Sequence, residues 1–298
     1  MHISELIKHH NFIVTCEIDP PKGTNVDEFL DKVNMVKDHV DAINIGDNQR
    51  AVMRAAALAI CRLLKERGIE TIMEVTTRYR NRIAIQSDML GAAILGIENI
   101  LLLAGYDPSV GDHAEAKPVD DLDAVSLVNA AIALAKGTDM TGHPLNEAPD
   151  FCLGVTATPG LVSDELHLGE LKQQIASGIH FIQTQPIYEP EVLERFIDSI
   201  SSFEVPVIVG HIMLKSASMA RFMNSNFPGV TVPEKLIEEL EGLSRDQVVE
   251  TSLQISVELI KKMKPNCQGV YFIPTGWEMH VPRIIEAVAG GRLPRPAS

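Results

Sequence analysis

Glu17 closes a run, Phe12 to Ile18 of the stretch NFIVTCEIDPPKG, that is otherwise mostly apolar and β-branched. A buried carboxylate without a partner is costly, so two roles suit it. It is a strand-end charge that reaches water or an arginine, or it is a catalytic acid at the mouth of a barrel. Gln183 and Gln185, in IQTQ, fall on one side of a second apolar run because strand side chains alternate with period two. An amide presents a donor and an acceptor together, which matches the edge of a flat heterocycle such as a pterin or a flavin. A carboxylate beside such amides can bind an exocyclic amino group. Asp107, between Tyr106 and Pro108, fits either that duty or a plain turn. His211 reads as a core histidine before it reads as a catalyst, and Trp277, the only tryptophan, as barrel-mouth packing. No histidines and cysteines stand at metal-ligand spacing and no Gly-x-Ser-x-Gly elbow occurs, so metal-assisted hydrolysis and serine acyl transfer are not expected.

Eight apolar runs must position these groups: 13–18, 40–45, 70–76, 99–105, 151–156, 179–185, 205–212 and 269–274. Segments with helical spacing separate many of them, at 50–68, 80–96, 121–137, 167–178, 190–201 and 245–263, several stopping at a glycine. Strands that are continuous apolar runs and alternate with helices indicate a parallel sheet covered by helices. Eight such units most simply close into a (β/α)8 TIM barrel of the α/β class, expected to fill residues 1–298 as one domain. A doubly wound sheet is the alternative, but no Gly-x-Gly-x-x-Gly follows the first strand.

Barrel enzymes carry their chemistry at the C-terminal ends of the strands. That rim would comprise Glu17; Asn44, Gly46, Asp47 and Asn48; Thr76, Thr77, Arg78 and Arg80; Gly105, Tyr106 and Asp107; Thr156 and Thr158; Gln183 and Gln185; and His211, Thr275 and Glu278. It is polar and mostly uncharged, as a hydrogen-bonding heterocycle requires. A net charge of −14 opposes a nucleic-acid partner. The four cysteines are scattered with no CxxC pair, which disfavours a local zinc or iron–sulfur site and fits a reducing cytoplasm. The polar start MHISELIKHH is unlike a signal peptide, and no apolar run approaches the ~18 residues of a membrane span.

Five stretches in order, CEIDPPKG, TTRYRNRIAIQSDMLGAAILGIENILLLAG, GDHAEAKPVDDLDAV, IQTQPIYEPE and GHIMLKSASMARFMN, resemble the methylenetetrahydrofolate reductase family over nearly the whole chain. The resemblance implies a flavoprotein barrel that interconverts methylene- and methyl-tetrahydrofolate. It makes Glu17 the general acid and Gln185, with Gln183 and Asp107, the groups that bind the pterin. Asn44, Thr76, Gly105, Tyr106, Asp107, Val119, Thr158 and Gln174 become the flavin contacts. FAD is the implied cofactor, with FMN an alternative because Gln174 stands where a lysine is usual. Tyr106 occupies the usual aspartate position, so Asp107 comes one residue late; Thr158 stands where tyrosine is common.

Small residues, Ser216 and Ala217, replace the aromatic that NADH-using relatives carry. The C-terminal stretch GVYFIPTGWEMHVPRIIEAVAGGRLPRP looks closer to the branch of anaerobic one-carbon pathways. That branch implies an iron–sulfur partner subunit as electron donor in place of NAD(P)H, and relatives are commonly homo-oligomers. Two other readings stay open: a pterin-binding methyltransferase barrel serving a corrinoid protein, and a flavin-free scaffold subunit.

Overall fold

The computed structural model describes residues 1–9 and 12–290. Eight parallel strands close into a barrel in sequence order: β1 (Ile13–Glu17), β2 (Ala42–Ile45), β3 (Thr71–Thr76), β4 (Asn99–Leu103), β5 (Cys152–Ala157), β6 (Phe181–Pro186), β7 (Val207–His211) and β8 (Gly269–Phe272). Each expected strand is present. They were legible because a strand of this fold is apolar on both faces. One face packs under the helices and the other fills the lumen.

The register sorts the lumen into layers. Thr15 pairs with Ala42 and with Tyr271, Glu17 with Asn44, Glu74 with Leu101, and Thr156 with Gln183. The floor is apolar: Ile13, Ile72, Leu101, Phe181 and Ile208 meet there, and a short helix, Ile3–His9, inserts Ile3 and Leu6 beneath them. Gly154 makes room for Phe181, since a Cβ at that position would lie 2.3 Å from the ring. Above the floor sits a polar tie. Asn44 Nδ2 donates to Gln183 Oε1 at 2.8 Å, and Gln183 Nε2 donates to Thr15 Oγ1 at 3.0 Å. All three residues are fully buried.

The helices depart further from expectation. The helix foreseen over 50–68 spans only Ala57–Lys65. Ala-rich sequence favours a helix, but Asn48, Arg50 and Ala51 adopt left-handed φ of 54°, 56° and 57° at the barrel mouth. Helices Asp27–Val36, Ala217–Asn226, Glu234–Glu238 and Val281–Val288 were not foreseen, nor was the floor helix. No described helix is long and apolar enough to cross a membrane.

Candidate active site at the barrel mouth

Glu17 is the last residue of β1, and its inward side chain is half-buried at the top of the lumen. The Tyr271 hydroxyl, from the neighbouring β8, donates to Glu17 Oε2. Burial pushes the Glu17 carboxyl up to about 7; the Tyr271 hydrogen bond pulls the other way, Asp19 adds to the rise and Arg54 opposes it. Such a group can hold a proton near neutral pH and release it to a bound ligand. Arg54 is itself held by Asp19, at 3.2 Å, and by the Pro20 carbonyl, at 3.0 Å. The Pro-Pro turn thus anchors the cation beside Glu17.

A second carboxyl went unnoticed in the sequence. Glu74 shares the inward face of β3 with Ile72 and Thr76 and is only 2% exposed. Its Oε2 accepts from Gln49 Nε2 at 2.8 Å, while Oε1 is buried with no partner among the described residues. Burial first, then the charges of Glu17 and Asp47, hold it well above the usual carboxylate range. The signal that exposed Glu17, a carboxylate inside an apolar run, was equally present in ETIMEVT.

Glu74 lines a cavity of about 170 Å³ at the mouth together with Thr76, Gly105, Tyr106, Thr156 and Gln185. Gly105 follows β4 at φ +81°, and a Cβ there would lie 2.9 Å from Thr76 Cβ. Tyr106 and Gln185 also line a second groove, of about 480 Å³. Thr158 borders that groove and a third cavity of about 290 Å³, which reaches Gln174 on helix Glu165–Gly178. The expected residues Thr76, Gly105, Tyr106, Thr158, Gln174 and Gln185 therefore lie along one run of adjoining spaces. No protein hydrogen bond holds the Gln185 side chain among the described residues, and Gln185 lines both the mouth cavity and the groove beside it.

Other expected residues lie apart from that run. Gln183 and Asn44 spend their amides on each other and on Thr15, beneath the mouth. The Asp107 carboxylate is exposed and caps a short turn by accepting from the Ser109 N–H at 2.9 Å, which also holds it below the usual range. Val119 donates its N–H to the Arg78 carbonyl at 2.8 Å, pinning the loop after β4 to the loop after β3. His211 faces away from the lumen, 2.8 Å from Ser256 Oγ through Nε2, and burial lowers its imidazole to about 4.

Residues 2–289 match the family model described as methylenetetrahydrofolate reductase. The chain belongs to that family. Among curated proteins it is 28% identical to methylenetetrahydrofolate reductase 2 of Schizosaccharomyces pombe, over 67% of this chain and 32% of that protein. It is 20% identical to a probable methylenetetrahydrofolate reductase (NADPH) of Caenorhabditis elegans, over 89% of this chain and 40% of that one. The chain thus spans about a third of the length of the first of these relatives and two-fifths of the second. Among solved structures, an uncharacterized protein from Clostridium thermocellum that binds two copies of 5-methyl-5,6,7,8-tetrahydrofolic acid superposes with a TM-score of 0.63. Its identity is 17%, covering 96% of this chain and 97% of that one. An oxaloacetate acetylhydrolase reaches a TM-score of 0.53 at 13% identity, over 95% of this chain and 81% of that one. At these identities both likenesses establish the barrel fold alone. At the end of β4, Tyr106 lines the mouth cavities and the carboxylate of Asp107 is committed to its own loop.

Proposed function

We propose that this chain is a flavin-dependent oxidoreductase that interconverts 5,10-methylene- and 5-methyl-tetrahydrofolate, with Glu17 as proton donor. The observation that carries the reading is Glu17 itself: a half-buried carboxyl at the C-terminal end of β1, hydrogen-bonded by Tyr271 and raised by burial to about 7. Family membership over residues 2–289 supports the reaction class, and the methyl-tetrahydrofolate bound by the Clostridium thermocellum neighbour supports the pterin.

The mouth residues fit a flavin. The partnerless Glu74 Oε1 is a polar atom available to a ring N–H, in a cavity that Thr76, Gly105, Tyr106 and Gln185 also line. The cavity toward Thr158 and Gln174 adjoins the mouth, and its lining holds no lysine or arginine for a phosphate, so FAD is proposed with FMN as the alternative. When bound, the flavin supplies the hydride equivalent. Everything else falls to the chain. Gln185 hydrogen-bonds the pterin edge with its free amide. Glu17 passes its proton to one of the two folate nitrogens bridged by the methylene carbon. That nitrogen departs, the bridge opens, and the carbon is left as an iminium on the other nitrogen, ready to take up hydride. Tyr271 steadies the carboxylate that remains.

Ser216 and Ala217, small residues just after β7, leave no aromatic platform there for a nicotinamide, which supports a redox partner protein as donor. Four buried free cysteines support a reducing compartment such as the cytoplasm. The test is the visible spectrum of the purified protein, followed by methylene-tetrahydrofolate reduction with a chemically reduced flavin. A flavin band, turnover, and a loss of ~100-fold or more in Glu17→Gln are expected. No flavin uptake from FAD or FMN would overturn the reading in favour of a methyltransferase or scaffold role, and full activity of Glu17→Gln would remove the acid.

A further inference from the structure

Glu17 and Glu74 face one lumen from β1 and β3, and neither is in salt-bridge contact with a lysine or arginine among the described residues. Asp47, beside them, is answered in full: it accepts from the Thr76 N–H and hydroxyl, both at 2.9 Å, and pairs with Arg80. The other titratable groups that face Glu74 are Asp19 after β1, Tyr106 after β4, Tyr271 on β8 and Cys61 on helix Ala57–Lys65. None of them is a cation. Glu74 is also the deeper of the two acids, almost wholly buried where Glu17 is half-buried. Burial beside other carboxyls, with no cation to offset it, favours the form that keeps its proton.

The Gln49 amide determines where on Glu74 that proton sits. It donates to Oε2 at 2.8 Å, so the proton of the acid form falls to Oε1, the buried oxygen without a partner. Gln49 is itself fixed. A Cβ at Gly46 would lie 2.6 Å from Gln49 Cγ, so glycine is what lets the side chain fold back toward β3. Its neighbours Asn48 and Arg50 are left-handed, and Ala51 after them, although none is glycine. The turn is clamped from the β4 side by Gly111, where a Cβ would fall 1.8 Å from the Ala51 carbonyl oxygen. Asp112 continues the clamp by accepting from the Met53 N–H at 3.0 Å.

We propose that Glu74 couples cofactor binding to the proton on Glu17: Glu74 keeps its proton on Oε1 while the mouth is empty, gives it up when a flavin ring N–H takes that oxygen, and as a carboxylate holds the proton on Glu17. The inference rests on the flavin of the proposed function. Two carboxyls in one water-poor site resist ionising together. In the empty protein the shallower Glu17 ionises first. An N–H donated to Oε1 favours the charge on Glu74 instead, and that charge opposes ionisation of Glu17. The proton that leaves Glu74 is matched by one taken up at Glu17 where that group is ionised, and otherwise passes to solvent. No electron moves. Loading the cofactor thus arms the acid before the pterin arrives.

The experiment is calorimetric titration of the full chain, freed of flavin, with FAD, in two buffers of different ionisation heat, which counts protons. At pH 6 Glu17 already holds its proton, so wild type should release about one proton per FAD, and its affinity should rise about tenfold per pH unit. At pH 7 Glu17 takes up about half a proton, so wild-type release should fall to about half, while Glu17→Gln still releases about one. Glu74→Gln, which offers an amide and no acidic proton, should bind FAD with about none released at either pH. FAD binding by wild type without proton release at pH 6 overturns the coupling and leaves the proposed function standing. So does equal release by wild type and Glu17→Gln at pH 7. These two proteins decide the matter even if the Glu74 variant does not fold. A wild type that takes up neither FAD nor FMN overturns the proposed function, and the coupling with it.

Discussion

Replacing Glu17 with glutamine should stabilise the protein at alkaline pH while disabling it. The folded chain raises the Glu17 carboxyl to about 7, against about 4.5 for an ordinary glutamate, mainly by burial. In the unfolded chain the group ionises first as pH climbs, so the unfolded state gains what the folded state cannot share until pH passes 7. Stability is therefore undiminished below pH 4.5, falls between 4.5 and 7, and stays low above. A gap of about 2.5 on the pH scale, at about 1.4 kcal/mol each, sets a ceiling of about 3.5 kcal/mol. Water reaches the half-buried group and screens part of this, leaving roughly 1–3 kcal/mol. Glutamine keeps the shape and an acceptor for Tyr271 without the charge. Urea unfolding of wild type and Glu17→Gln at pH 5 and pH 8 reads the difference. The variant should be nearly level with wild type at pH 5 and ahead by that amount at pH 8. An advantage that does not grow with pH would refute the idea that the mouth disfavours the ionised acid.

Other outcomes follow from the same geometry. Tyr271→Phe removes the donor that favours ionised Glu17, so the alkaline fall of the rate–pH profile should move up by about one pH unit, a hydrogen bond to a charged group being worth about 1.5 kcal/mol or more. Gln185→Ala should weaken methyl-tetrahydrofolate binding roughly tenfold in titration while the flavin spectrum is unchanged; equal affinity removes Gln185 from the pterin site. Gly111→Ala must push the Ala51 carbonyl away, so urea unfolding should show a loss of about 1–3 kcal/mol, and an unaltered midpoint would mean that the two loops are not clamped.

The barrel was legible because its physics is repetitive. A buried parallel strand needs apolar side chains on both faces, and that leaves an unbroken run in the sequence. The helices were less legible where tertiary contacts override local preference. QRAVMRAA looks helical, yet Gly111 and Asp112 hold Arg50 and Ala51 in a turn that no local propensity favours. The short helices Asp27–Val36 and Val281–Val288 follow Pro- or Gly-containing loops and give only two or three turns of pattern. At the site, Glu17 stood out because a Pro-Pro turn marks its strand end. Glu74 sits mid-strand between Met73 and Val75, so its inward aim depends on register, which pairing with β2 and β4 sets. Asp107 and Gln183 have suitable chemistry, but which partner claims each of them is decided in three dimensions: the Ser109 amide for one, Asn44 and Thr15 for the other.

The dry floor has a kinetic consequence. Ile3, Ile13, Leu101 and Phe181 close the lumen from below, and the Thr15–Asn44–Gln183 tie uses its own donors and acceptors above them, so no chain of exchangeable protons leads up to Glu17 from that end. If Glu17 is the proton donor proposed above, its proton is replaced through the mouth that also admits the ligand. Product that covers the mouth then keeps Glu17 unprotonated, and release and reprotonation become one event.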